Sequence, residues 1–451
     1  MKELLSVIRH LVFPVLLFVL LAAAIQAETI NDTTFDNGLT LLTLEDKSSQ
    51  LVSMLVCYHV GIKDDPPGLS GLTQITRQII LEGTADYKKG EYERIIQGGG
   101  GRTSSQLTRD YIRFSAVFPK QIIDTVLYIT SCLMQDVNVS YENLISARET
   151  IRKHRLSSVE SSIYGPLNEE IFSLAFSVHP YRNPYYGWPD DALSITTEIV
   201  EKFIRSNFQA SNSTIIIAGD IDTEKLTDKV NNLYGSVFSL PAIARRKIVE
   251  PPHRGERISI VDGTSDIPTV VMAHNICPVT DLDMPAVRIM HRILADGESS
   301  RIFKKLVYGD GLALVTGGNL IEGEDAGIIV QYAILNYDAR PEEGKEMLCS
   351  EIERLQSEDV TEAELMKAKN QIEAEYYRGS SSLSQKAGRL ADFQIVYGDW
   401  RFTDSLVSQA RAVTKEDIRK AANKYLKRIN RTSVLLLPAG EFDDYDMGYP
   451  D

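Results

Sequence analysis

Polar and apolar positions along the chain alternate between two periods. Residues 39–44 and 51–60 are rich in β-branched and large apolar side chains and read as a pair of strands. Residues 257–261 and 269–273 read as a second pair. After each pair the apolar positions recur at helical spacing, which predicts an amphipathic helix. A third helix is predicted over 142–155, where Leu144, Ala147 and Ile151 form one stripe. A glycine turn at Gly98 to Gly101 leads to an edge strand at 110–117. No lysine follows these glycines and no apolar strand precedes them, so they are no phosphate loop. Ser380 to Ser384 read as a loop.

These elements repeat. Ser140, Leu144, Ala147 and Ile151 recur as Thr361, Leu365, Ala368 and Ile372, and Thr361 with Glu364 has the spacing of a capping box. Thr196, Glu198, Val200, Asn212 and Thr214 recur as Thr414, Glu416, Ile418, Asn430 and Thr432. Each copy then runs into an apolar strand. The predicted fold class is α+β: two related domains, each an antiparallel-rich β-sheet with helices on one face, together one half of a clamshell. The domains span 28–240 and 257–440. Between them 241–256, with Pro241, Pro251, Pro252 and Arg245-Arg246-Lys247, reads as a solvated linker, and 441–451 as an acidic tail.

The first residues differ from the rest. Lys2 and Arg9 precede an apolar run that ends at Gln26-Ala27, the layout of a signal peptide over 1–27. That run is too short for the roughly 20 residues of a membrane helix, so no stable span is expected once it is cleaved. Export, most simply to a Gram-negative periplasm, is the expected localisation.

Composition excludes other classes. The chain has 451 residues, 43% of them hydrophobic, with 48 Lys plus Arg against 62 Asp plus Glu, a formal net charge of −14. Disorder is excluded, and an acidic chain without a basic run is unsuited to nucleic acid. Cys57, Cys132, Cys277 and Cys349 form no CxxC pair and read as free thiols, Cys57 and Cys132 lying in apolar stretches. Asn31, Asn138, Asn212 and Asn430 head glycosylation sequons, which matter only in a eukaryotic host.

Seven landmarks in order carry a family resemblance: Val60-Gly61, Gly71-Leu72, Gly83-Thr84, His179-Pro180-Tyr181, Gly219-Asp220-Ile221-Asp222, Ser299-Ser300-Arg301-Ile302-Phe303 and Gly311-Leu312-Ala313. With them the chain resembles the pitrilysin family of zinc peptidases, in the branch of mitochondrial processing peptidase and its bacterial homologues, over roughly residues 34 to 440. The resemblance implies a zinc motif HxxEH between the second and third landmarks. Counting back from Gly83-Thr84, those positions hold Gln74, Arg77 and Gln78. A carboxamide is a weak zinc ligand, and a guanidinium neither accepts a proton nor tolerates a dication. A shift of three residues offers Gly71, Gln74 and Ile75, which also fail.

The family's third ligand falls, by spacing, in Arg152-Lys153-His154-Arg155, where there is no carboxylate. Glu149 reads as an exposed helix residue and His154 as a solvated histidine. The Arg and Tyr that the family carries in its second domain are replaced by Val307 and Leu314. The Gly-rich loop of the processing peptidase's non-catalytic subunit is also absent, its place holding Leu294-Ala295-Asp296-Gly297-Glu298. His59 and His274 are expected to be packed or partnered, and His179 to shape a turn.

The resemblance therefore implies a protein with no catalytic residue and no cofactor of its own, zinc residing in a partner. That partner is an active zinc-peptidase paralogue in a heterodimer, and the pair handles peptide or unfolded polypeptide. Two rivals stand beside this: a stand-alone peptide-binding or scaffold protein, and an active metalloendopeptidase with substitute ligands.

Overall fold

In the computed structural model residues 29–84, 86–240, 248–262 and 266–440 are described. The signal segment 1–27, the start of the linker and the tail 441–451 lie outside the described residues. The first sheet contains β1 (Ile30–Thr34), β2 (Thr40–Glu45), β3 (Leu51–Tyr58), β4 (Arg102–Leu107), β5 (Ile112–Pro119) and β6 (Ser213–Gly219), in the order β1-β2-β6-β3-β5-β4. The second contains β7 (Arg257–Asp262), β8 (Thr269–Ile276), β9 (Ala313–Ile321), β10 (Gly327–Leu335) and β11 (Arg431–Leu437), in the order β7-β11-β8-β10-β9. Without β1 the two orders correspond strand for strand, and in each only one pair is parallel, β2 with β6 and β7 with β11. This is the repeat in tertiary form.

The helices needed here are α1 (Leu72–Glu82), α2 (Tyr141–Arg155), α3 (Gly165–Ala175), α4 (Met284–Ala295) and α5 (Leu383–Asp392). The predicted caps are present. Ser140 Oγ accepts Asn143 N–H at 3.1 Å and starts α2, and Thr361 exchanges bonds with Glu364 at 3.2 and 2.8 Å. Such caps contribute about 1 kcal/mol each. The repeated asparagines act alike. Asn212 Nδ2 donates to the carbonyls of His59 and Asn207, and Asn430 Nδ2 to those of Asn275 and Tyr425. Both ties join a helix end to a central strand.

The α+β class with two related antiparallel-rich sheets holds, with one addition. On its inner face the first sheet packs Val52, Met54 and Val56 against Ile75 and Ile79 of α1 and Leu144 and Ala147 of α2. Its other face, Leu42, Leu55 and Ile216, lies under Ala387, Leu390 and Ala391 of α5. Conversely, Leu167, Ile171 and Phe172 of α3 cover Ala273, Val330 and Val434 of the second sheet. Each half thus lends a helix to the sheet of the other, and residue 240 is no boundary in packing. Fully burying one such Leu or Ile contributes about 1.5–3 kcal/mol.

Three expectations need correction. The edge strand after the glycines is β4; the strand at 112–119 is internal, paired with both β3 and β4. β4 reads Arg-Thr-Ser-Ser-Gln-Leu and buries only Leu107, so no apolar alternation marked it. Ser382 is the N-cap of α5 and leaves only part of 380–384 as loop. The described end of the linker is bound: Glu250 accepts N–H bonds from Ser177, Val178 and His179 at 2.6–2.9 Å, and buried His253 bonds the Ala175 carbonyl at 2.9 Å. All four cysteines are free, Cys57 and Cys277 buried.

A charged cluster fastens the halves together. Lys63 Nζ lies 3.1 Å from Asp110, 2.7 Å from Glu324 and 2.9 Å from Asp325, the last two on the β9–β10 turn. His59 is 3.1 Å from Glu324 and His179 is 3.4 Å from Asp325. Burial disfavours the charges, yet the lysine and histidines outweigh it and hold Glu324 and Asp325 down at about 2.

Candidate functional site

The site is built on α1. Its first turn is held by Asp65, whose carboxylate accepts Gly71 N–H and Thr73 N–H at 2.7 Å each and the Thr73 hydroxyl at 2.5 Å. Gly71 has φ +91°, the left-handed region that glycine reaches without strain. Burial pushes the Asp65 carboxyl up to about 7, against the pull of those three donors. At the far end Gly83 has φ +104°, and a Cβ there would meet the Tyr87 carbonyl at 2.0 Å. Both ends are sterically determined, so the side chains between them have defined positions.

Gln74 and Gln78 are buried, at 1% and 9% exposure. Gln74 Oε1 accepts Arg77 Nε–H at 2.9 Å, and Arg77 Nη1 donates to Ser105 Oγ on β4 at 2.6 Å. Gln78 Nε2 donates to Glu82 at 3.2 Å, and Glu82 also holds Lys89 at 2.6 Å. Tyr185 and Tyr186 stand beside Arg77, and burial lowers the arginine's pKa.

This donor set does not fit zinc. Two neutral amides and a guanidinium supply no anionic or imidazole ligand, and the guanidinium repels a dication. Among the described residues no three His, Cys, Asp or Glu side chains gather where they could hold a metal. His154 lies exposed at the end of α2, and Glu149 faces solvent, tied to Arg152 at 2.9 Å. Arg155 departs from the solvated patch read from the sequence: it turns inward to Glu169, at 2.7 and 2.8 Å, and to the Gly187 carbonyl. Val307 is half-buried on the second core and Leu314 is exposed at the start of β9, so neither position offers a polar group to a substrate.

Beyond Tyr185, which neighbours Gln74 and Arg77, lies a cleft of about 810 Å³ between the two halves. Leu107 and Tyr185 line its near end, and Arg288, His291, Glu322 and Tyr397 line the far side. There the charges are paired. Arg288 holds Glu322 at 2.6 and 2.5 Å and donates to Tyr397 Oη at 2.5 Å, and Arg292 bonds Asp296 and Glu375. Burial pushes His291 down to about 4, so it is neutral at pH 7. Sequence reasoning passed over Ser105, Tyr185 and Arg288. The run His179 to Trp188, dense in tyrosine and proline, was the available signal for Tyr185; nothing marked the other two.

Among the described residues β4 is the edge strand and pairs with β5 alone, so its outer edge, apart from the Leu107 main chain that meets Tyr185, offers main-chain N–H and C=O groups near Arg77. An extended segment can add there as a further strand, with main-chain bonds supplying affinity and the cleft selecting side chains. The geometry can therefore hold a peptide, and Arg77 itself, a guanidinium bonded to Gln74 and Ser105, accepts no proton.

Two family models match the chain. One, described as Insulinase (Peptidase family M16), matches residues 40–187, and the other, Peptidase M16 inactive domain, matches residues 194–372. Among curated relatives, the zinc protease PqqE of Helicobacter pylori is 25% identical over 443 residues, 96% of this chain and 99% of the relative. A probable mitochondrial-processing peptidase subunit beta of Arabidopsis thaliana is 21% identical over 92% of this chain and 79% of its own. Among solved structures, a protease from Helicobacter pylori superimposes with a TM-score of 0.86 at 23% identity, over 91% of this chain and all of that one. A peptidase M16 inactive domain from Pseudomonas fluorescens gives 0.83 at 16% identity, over 91% of this chain and 98% of that one.

Proposed function

Because the chain belongs to the peptidase M16 family, we propose that it is a non-catalytic member that binds and positions peptide or unfolded polypeptide for an active zinc-peptidase paralogue. The two form a heterodimer, exported to the periplasm by the segment 1–27, and the zinc resides in the partner. One observation carries this reading: Arg77, which the count back from Gly83-Thr84 puts at the position of the family's water-activating glutamate, is hydrogen-bonded to Gln74 and Ser105. A fixed cation cannot act as the general base there, and its charge opposes metal entry. The open edge of β4 and the cleft beyond it are independent of metal and remain able to align an extended chain. The subunit designation of the plant relative agrees with a paired assembly.

The test is metal content together with cleavage. The purified full chain, alone and mixed with the HxxEH-bearing paralogue, is assayed for zinc and for digestion of an unfolded protein. The expected outcome is well under one zinc per chain alone, a stable complex, and faster cleavage by the complex than by the paralogue. One tightly held zinc per chain with chelator-sensitive cleavage overturns it in favour of a metalloendopeptidase with substitute ligands. A second reading, a stand-alone peptide-binding protein, is favoured by the fact that edge strand and cleft lie within one chain; it is adopted if the chain runs alone and leaves cleavage by the paralogue unchanged.

A further inference from the structure

Arg77 is half-buried and, among the described residues, pairs with no carboxylate. Its Nε and Nη1 go to neutral acceptors, Gln74 Oε1 at 2.9 Å and Ser105 Oγ at 2.6 Å. The ionisable groups around it are the hydroxyls of Tyr185 and Tyr186. Other arginines withdrawn from solvent are treated differently. Arg155 pairs with Glu169, Arg288 with Glu322, Arg301 with Glu364 and Arg431 with Glu256, all at 2.5–3.1 Å. Arg109, Arg148, Arg257 and Arg389, which have no carboxylate either among the described residues, bond main-chain carbonyls of Tyr181, Leu193, Ile195, Leu174 and Tyr376 and so face fixed negative dipoles instead. In a chain of net charge −14 acid side chains are plentiful, yet none of the described ones is placed against Arg77.

A cation taken partly out of water without a counter-charge is costly, and the guanidinium cannot shed its proton to escape. A cost of this kind is recovered when an anion arrives, because its carboxylate replaces lost hydration with charge-assisted bonds. The place matters as much as the charge. Ser105 is on β4, the open edge strand, so any extended segment added there passes the guanidinium. Tyr185 joins the same spot to the cleft.

The geometry points to Arg77, with Ser105 and the Tyr185 hydroxyl beside it, as a carboxylate-binding subsite for an extended peptide lying on β4. The carboxylate is either the peptide's C-terminus or an Asp or Glu side chain. This inference rests on the peptide-binding reading above and adds to it the class of peptide taken: one that brings a negative charge to the α1 end of the cleft.

The experiment measures binding of the full chain to N-terminally fluorophore-labelled octapeptides of alternating valine and serine. Three forms are compared: the free acid, the C-terminal amide, and the amide with one internal serine replaced by glutamate. At least one carboxylate form is expected to bind roughly tenfold tighter than the neutral amide, and which one identifies the source of the charge. In Arg77→Gln, whose melting temperature is checked against the parent, that gap between the carboxylate forms and the neutral amide closes to within about twofold. Equal binding of all three forms by the parent, or a gap that persists in a folded Arg77→Gln, overturns the carboxylate subsite and leaves peptide binding standing. Failure of all three forms to bind, with and without the paralogue, overturns the peptide-binding reading itself and the subsite with it.

Discussion

α1 and α4 hold equivalent places in the two halves, each following the strand at the centre of its sheet, and each carries polar side chains at positions i, i+3 and i+4. In α1 these are Gln74, Arg77 and Gln78; in α4 they are Arg288, His291 and Arg292. Around α4 both arginines are answered: Glu322 holds Arg288, and Asp296 and Glu375 hold Arg292. His291 is neutral and fits against Gly318, where an added Cβ would lie 3.2 Å from the ring. On α1, Arg77 has no such answer among the described residues. A saturated cluster fastens a core together, whereas an unsaturated cation beside an open strand edge retains free energy for a ligand. One scaffold thus carries ion-paired arginines on α4 in its second half and, on α1 in its first, an arginine bonded to neutral acceptors.

The sharpest test removes a cation from each helix. Arg288→Met leaves the Glu322 carboxylate without its partner and is expected to lower stability by about 3–4 kcal/mol in chemical denaturation. If Arg288→Met is neutral, α4 is not the structural member of the pair. The exchange of helices supplies a second comparison. Leu390→Ala in α5 opens a cavity on the far face of the first sheet, and a loss of about 2–3 kcal/mol is expected, with both halves still unfolding in one transition. Two separate transitions in the parent would show that the lent helices do not couple the halves.

Acid tests the fastening between them. Glu324 and Asp325 are held at about 2, below the usual carboxylate range. A depressed folded-state value means that their stabilisation is complete above about pH 4.5 and is lost as the pH falls from there through about 2. The parent should therefore lose about 2 kcal/mol over that window, read by denaturant titration. Lys63→Met, which removes the central cation, should flatten the dependence. The smallest effect is expected at α1. Arg77→Gln removes a cation that no described acid balances, so stability should stay within about 0.5 kcal/mol of the parent or rise. A loss as large as that of Arg288→Met would erase the distinction between the helices.

Much of the architecture is legible in the order of residues. The strand pairs around Leu42 and Val270, the stripe Leu144, Ala147, Ile151 and the caps at Ser140 and Thr361 follow from period and spacing, and they sit where expected because each depends on neighbours within one or two turns. The repeat extended to Asn212 and Asn430, though sequence alone read them as sequon heads when both amides are occupied internally. β4 left no such mark because an exposed edge strand needs no apolar alternation. The sequence placed Arg155 in a solvated basic patch, while its pairing with Glu169 depends on where a second helix returns.

Residue identities on α1 were settled by the chain itself. Two carboxamides and a guanidinium keep their donor chemistry in any fold, which is why a dication is unwelcome beside them. Tertiary structure alone decided which arginines found a carboxylate, which helix covers which sheet, and that an open strand edge runs past Arg77. These outcomes join residues as far apart as Arg113 and Asp392, or Lys63 and Glu324, and contacts at such separations leave no local pattern to read.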